Sequence, residues 1–217
     1  MTVDSPKTSD FDTAGRVLAA AEQLYAQKGL DDVNLREITT LARVNLASVN
    51  YHFGSKNGLQ LALFEQLAER VNLRRRAELE AYLEAIPDGE VPQVEPIIDI
   101  FLSAYIGPGI DDQGILLARF MLKNRVTEIS GFMEILERHF DPWAAEVNAA
   151  LIRACPHLDP AEVYWRYFFM TSAVALAVAD QKENARILRL SSNRVDVSRT
   201  AKFKRALTRF LVSSFAR

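Results

Sequence analysis

Apolar residues in this chain return every three or four positions rather than every second one, the period of helices packed on a core. From Phe11 they fall at Val17, Leu18, Ala21, Leu24 and Tyr25, and Gly29 then supplies the positive φ that commonly ends a helix. Asn34 and Glu37 hold the two reciprocal positions of a capping box, so a short helix should open there and run to about Ala42. Arg43-Val44-Asn45 reads as a tight turn, followed by a second short helix through His52 that Gly54 breaks. Ser55 is a good cap for a long amphipathic helix carrying Leu59, Leu63, Phe64, Leu67 and Val71, expected to reach Ile86 before Pro87-Asp88-Gly89. Within it Arg74, Arg75 and Arg76 interrupt the apolar stripe, which suggests a solvated bend or face.

The remainder also reads helical: residues 94–106, closed by Gly107-Pro108-Gly109, then 114–124 and 127–140. Asp141-Pro142 and Asp159-Pro160 each put a capping aspartate before a proline at the first helical position, predicting helices over 142–155 and 160–180. From Tyr164 to Ala179 the second of these is apolar almost all round, as a helix buried on more than one side would be. Residues 181–199 are polar and basic and read as a flexible connection or frayed turns. A last helix over 200–215 places Phe203, Leu207, Phe210 and Leu211 on one side. The first ten residues, with Pro6, read as a loose arm. No window alternates convincingly with period two, so the fold class is all-α.

Composition narrows the function classes. The 217 residues are 49% hydrophobic and 25% charged, with a net charge of -2, so any nucleic-acid-binding surface must be local rather than global. Cys155 is the only cysteine, which excludes an intramolecular disulfide and a cysteine-based metal cage. The amino-terminal residues contain no signal-like apolar run, and residues 164–179 are short for a membrane span of about 20 residues. A soluble, cytoplasmic protein without a membrane partner is expected.

The chemistry concentrates in Asn45 to Lys56, where His52 stands between Tyr51 and Phe53. Two short helices joined by a tight turn form a helix-turn-helix, the reading head of many DNA-binding proteins. Ile38, Ala42, Val44, Val49 and Phe53 can pack inward and fix the crossing, leaving Leu46, Ala47, Ser48 and Asn50 to face outward. Asn50 could bond an adenine, Ser48 either partner of a pair, and Leu46 or Ala47 a thymine methyl. Arg36, Arg43, Tyr51, His52 and Lys56 are phosphate-type donors around it, Lys56 at the positive end of the next helix. His52 has no carboxylate partner in sequence and no metal-ligand spacing. Gly54-Ser55-Lys56 has the wrong order for a phosphate loop. No catalytic group, metal or cofactor is therefore expected.

Residues 35–63 closely resemble the DNA-binding domain of the TetR family. Arg36, Ile38, Ala42, Val44, Tyr51, His52, Phe53, Lys56 and Leu59 match that family's pattern in register, across about a quarter of the chain. Arg43 departs from it by standing where glycine is usual, and Asn50 stands where an aromatic is common. Base preference therefore does not carry over from the family at Asn50; the residue chemistry and the resemblance together give expected DNA contacts from Arg36, Asn45, Leu46, Ala47, Ser48, Asn50, Tyr51, His52 and Lys56. It divides the chain into a DNA-binding domain over 1–55, with its arm, and a helical ligand-binding and dimerisation domain over 56–217. It further implies a homodimer through the helices near 160–180 and 200–215, on a double-stranded, pseudo-palindromic operator. Phe101, Tyr105, Phe120, Met121, Phe132, Met133, Leu136, Phe140, Trp143, Trp165, Phe168 and Phe169 recur at helical spacing. They read either as plain core or, in a protein of this type, as the lining of a site for a small apolar effector, fatty acyl or aromatic. The segment 162–173 faintly resembles fatty-acid-responsive members of the family. The expected function is a ligand-responsive transcriptional regulator, a repressor released by its effector. The alternative is a dimeric helical small-molecule-binding or interaction protein that no longer reads DNA.

Overall fold

A computed structural model describes residues 8–107, 111–126, 130–179, 184–198 and 200–216. Among these residues every regular element is helical: α1 (Thr8–Lys28), α2 (Leu35–Ala42), α3 (Leu46–Phe53), α4 (Lys56–Glu84), α5 (Val94–Leu102), α6 (Asp111–Val126), α7 (Phe132–Ile135), α8 (Asp141–Ala154), α9 (Pro160–Ala179), α10 (Asn184–Leu190) and α11 (Thr200–Ser214). Helices α1 to α3 pack together, and α4 runs from them into the remaining helices, against α5, α6 and α8. Its buried face, including Leu59, Leu63, Phe64 and Leu67, is thereby shared by both halves. No described helix is long and apolar enough to cross a membrane.

The capping signals act as the sequence suggests. Asn34 accepts from the Glu37 backbone N–H at 3.1 Å while the Glu37 carboxylate accepts from the Asn34 N–H at 3.0 Å. Asn45 caps α3 and Ser55 caps α4, each through a backbone N–H three residues on. Arg43 ends α2 in the left-handed conformation, φ 56° and ψ 47°. Its N–H reaches Thr40 O and the Val44 N–H reaches Thr39 O, the paired bonds of a Schellman turn.

Elsewhere the chain departs from the sequence reading. The first helix begins at Thr8, inside the segment taken as a loose arm, and residues 1–7 lie outside the described residues. The expected closure at Gly107-Pro108-Gly109 also falls partly outside them; α5 ends at Leu102 and the chain continues in turns to Gly107. The helix expected over 127–140 is described from Phe132. It widens into a π turn over Leu136–Phe140, where the Asp141 N–H bonds Leu136 O, and runs straight into α8. Asp141 is therefore helical rather than a cap. The wider turn relieves the clash and missing donor that Pro142 would otherwise impose in a helix interior.

Part of the stretch read as a flexible connection is the helix α10. It stops at two consecutive positive-φ residues, Ser192 and Asn193, whose N–H groups return to Arg189 O and Leu188 O.

The three arginines of α4 are not a solvated bend. Arg75 is buried, its guanidinium carbon 4.4 Å from the Trp143 ring centroid and 5.8 Å from that of Phe101. Arg76 bonds Glu146 of α8 at 2.9 Å, and Arg74 pairs with Glu78 while donating to the Ser103 carbonyl after α5. The arginines break the apolar stripe because they bind α4 to its neighbours. Burying a cation costs several kcal/mol, and each ring face returns only about 0.5–2 kcal/mol. Desolvation accordingly holds Arg75 well below the usual arginine range, at about 10.

Candidate nucleic-acid interface

Helix α3 divides by burial. Val49 is fully buried and Phe53 packs on the core, whereas Leu46, Ala47, Asn50 and Tyr51 are exposed on one continuous face. Ser48 and His52 are half-buried at its edges. Tyr51, expected beside the phosphates, is 80% exposed on the same face as Asn50, with the His52 ring edge-on at 5.0 Å. None of these side chains is acidic, so the face offers donors and apolar contact without repelling a polyanion.

Three of the predicted contact residues are also committed to the fold. The Asn45 carboxamide oxygen accepts from the Ser48 N–H at 2.8 Å and from its hydroxyl at 3.0 Å. That hydroxyl retains its lone pairs and can accept from a base amino group. The Lys56 ammonium donates to the Asp31 carbonyl at 3.1 Å, using one of its three protons at the positive end of α4. Arg36 is exposed on α2, where its carbonyl accepts from Thr39 and Thr40.

The angle between α3 and α4 depends on Gly58, a residue that the sequence reading passed over. A Cβ on Gly58 would lie 2.0 Å from the Phe53 carbonyl oxygen, so only glycine lets α4 start against the last turn of α3. Its signal in the sequence was a glycine in the first turn of a helix, where it costs stability unless something needs the space.

Behind this head, α6 grips the end of α1. Arg119 donates to the Tyr25 and Ala26 carbonyls at 3.3 and 3.1 Å. Lys123 pairs with Asp31 and reaches Gln60 Oε1 at 3.4 Å. Buried Gln60 donates to Leu30 O at 2.8 Å. Cations at these carbonyls complement the negative end of α1. Loop 29–32 is thus held by α6 and by α4, through Gln60 and through Lys56, the first residue of α4 after the reading helix. Nothing in the sequence alone pairs Arg119 or Lys123 with residues nearly a hundred positions away.

The candidate effector residues separate into two groups. Phe101, Tyr105, Phe120, Phe132, Phe140 and Trp143 are buried, with Met121 and Leu136 half-buried against them. Phe64 stacks on Phe132 at 4.4 Å and on Phe140 at 5.8 Å, with Phe120 at 5.3 Å, so these rings pack on one another. Met133, Trp165, Phe168 and Phe169 are 50–59% exposed and do not join that core within one chain. The helical period fits both groups; the last three lie on the outer face of α9 because its opposite face, Val163, Met170, Val174 and Val178, already packs inward. A groove of about 660 Å³ does open between α4 and α8, over Leu79, Leu83 and Ala150, with Arg76 and Glu146 at its side. None of the twelve predicted residues lines it.

Comparison with known proteins agrees with this geometry. Residues 17–63 match the family model for bacterial regulatory proteins of the tetR family. Residues 111–213 match the tetracyclin repressor-like carboxy-terminal domain. The chain belongs to the TetR family. It is similar to the HTH-type transcriptional regulator CymR of Pseudomonas putida, at 26% identity over 90% of this chain and 94% of that one. In fold it resembles the fatty acid degradation regulator FadR of Bacillus halodurans, with a TM-score of 0.58 at 14% identity, covering 91% of this chain and 97% of that one. It also resembles the multidrug binding protein EbrR, complexed with imidazole, with a TM-score of 0.51 at 19% identity, covering 98% and 97%. As a TetR-family protein it is a ligand-responsive DNA-binding transcriptional regulator rather than an enzyme.

Proposed function

We propose that this protein is a homodimeric repressor that holds a pseudo-palindromic operator through two copies of α3 and lets go when an apolar effector occupies the helical domain. The observation that carries the reading is the exposed face of α3, with Asn50 at its centre and Arg36, Arg43 and Lys56 on the elements flanking it. Asn50 and Ser48 read bases in the major groove, and Leu46 and Ala47 touch thymine methyls. Asn45, Arg36, Tyr51, His52 and Lys56 set the register on phosphates. The boundary between the DNA-binding and effector domains lies at the start of α4.

The second subunit covers α9 and α11. Tyr164, Trp165, Phe168, Phe169 and Leu176 expose a large apolar face on α9, and Phe210 is 61% exposed on α11. An apolar patch of this kind marks an association surface. Twofold pairing there carries the two reading helices to adjacent major grooves, about 34–36 Å apart. The names of the fatty-acid-degradation and multidrug-binding structural neighbours support an apolar effector for this chain too.

The test is fluorescence anisotropy with DNA from upstream of the protein's own coding region, at several salt concentrations, beside sedimentation of the free protein. A dimer that protects a palindrome with a steep salt slope, and loses it with an apolar compound, is expected. A monomer, or binding indifferent to sequence, would refute the proposal.

A further inference from the structure

Arg75 of α4, buried within the helical domain at 1% exposure, is a cation with no ion-paired carboxylate among the described residues. Both neighbouring arginines are engaged elsewhere, Arg76 with Glu146 and Arg74 with Glu78 and Ser103. One guanidinium N–H reaches Asn72 Oδ1, and the guanidinium carbon lies over the rings of Trp143 and Phe101. The guanidinium Nε–H is left without a partner.

The polar atoms around it are short of acceptors. Arg75 Nε, Asn72 Nδ2 and Trp143 Nε1 are all buried donors without a partner, and Asn72 and Trp143 each contact Arg75. Asn148, also on α8, has an unpaired buried oxygen, so donors in excess outnumber spare acceptors. Buried donors are normally paired, and a cluster that is not marks a place for an absent group. The absent group is acceptor-rich, flat enough for a guanidinium fork, and singly negative, because one cation is available. A carboxylate has those properties.

The surroundings say what the carboxylate is attached to. The rings of Phe101, Trp143, Tyr105 and Tyr167 gather around Arg75 where α4, α5, α8 and α9 meet. Leu79, one turn from Arg75 on α4, lines the groove of about 660 Å³ between α4 and α8; Arg75, Trp143 and Phe101 do not themselves line it, so Leu79 is the link between the two. That volume lies in the range of small-molecule sites, about 300–1,000 Å³. The Arg76–Glu146 pair lines this groove.

We propose that Arg75 anchors the carboxylate of an apolar monocarboxylic acid whose body lies along the α4–α8 groove. The proposal rests on the reading of this domain as the effector domain and names the effector's class. Binding replaces the missing acceptor, neutralises the buried cation and draws α4 toward α8. Helix α4 begins at Lys56 beside the reading helix, about 28 Å away at 1.5 Å per residue, so one rigid element joins the two sites.

The test uses the full chain and two matched pairs, dodecanoate with methyl dodecanoate and 4-butylbenzoate with its methyl ester. Calorimetry measures binding, and anisotropy measures operator release. At least one acid should bind about 10–100-fold more tightly than its ester, the range for a hydrogen bond to a charged group. Arg75→Met should bind acid and ester alike, and Arg75→Lys should keep part of the preference. Circular dichroism confirms folding; where Arg75→Met does not fold, Arg75→Lys carries the comparison. Equal binding of acid and ester by the unaltered protein, a preference that survives in Arg75→Met, or no binding of either acid would each overturn the assignment. If the esters release the operator as well as the acids do, Arg75 is not the anchor but the effector-controlled reading stands. If apolar compounds of every kind leave operator affinity unchanged, that reading falls.

Discussion

Replacing Arg43 with glycine separates the two demands that this residue meets. A side-chain-bearing residue in the left-handed region costs roughly 1–2 kcal/mol, and Arg43 sits well inside it at φ 56° and ψ 47°. Glycine removes that strain but gives the unfolded chain more freedom, worth roughly 0.5–1 kcal/mol. The Schellman bonds use only backbone atoms and survive the change. Arg43→Gly should therefore stabilise the protein by about 0.5–1 kcal/mol, raising Tm by about 1–4 °C for a chain of this size. The same substitution removes a cation from the DNA side of each subunit, so the slope of log K against log salt for the dimer should shrink by about 1.8, roughly 0.9 per lost phosphate contact. Differential scanning calorimetry at fixed protein concentration gives the first number, and operator binding from low to high salt gives the second. A lowered Tm would refute the account of the turn. A gain in stability with an unchanged salt slope would show that Arg43 contacts no phosphate, and would leave it as a strained residue without a structural reason.

Gly58→Ala should cost on the order of 2–3 kcal/mol in urea denaturation, because the new methyl meets the Phe53 carbonyl and the backbone must move; an unchanged midpoint would contradict the close approach of α3 and α4. The Asn34 N–H, and then Lys28, hold the Glu37 carboxyl below its ordinary value of 4.5. The carboxyl's stabilising contribution is present above that value and is lost as pH falls through the depressed one. Glu37→Gln should accordingly flatten the acid limb of a stability–pH curve, and curves that stay parallel would count against the capping box as its source. Asn50→Ala should blur preference at one base position, by about 1–3 kcal/mol against the wrong base, while leaving the salt slope alone; a complete binding-site selection that returned the original consensus would remove Asn50 as a reader.

The helix-turn-helix was legible because its signals are local. Caps, a tight turn and a buried Val49–Phe53 stripe are all set within a few residues, and each is present in the structure. The long-range partners were not. Three successive arginines look like a solvated break when only α4 is in view, and become ties to α5 and α8 once those helices pack alongside. The aromatic residues failed for a related reason: helical spacing cannot say which face of α9 looks inward, so exposed Trp165 and buried Trp143 read alike. Helix α10 was hidden because its stop is made by Ser192 and Asn193, without the glycine that usually announces one.

Loop 29–32 has a bearing on how this regulator can fail. Arg119, Lys123, Gln60 and Lys56 meet at it or beside it from both halves, and its Asp31 and Asp32 share a depression with Leu46 of α3. Selection for cells that stay silent in the presence of inducer should therefore return substitutions at Arg119 and Lys123 as well as in the effector site. Such alleles would fold, occupy the operator and bind effector normally, having lost only the means by which one event reports on the other.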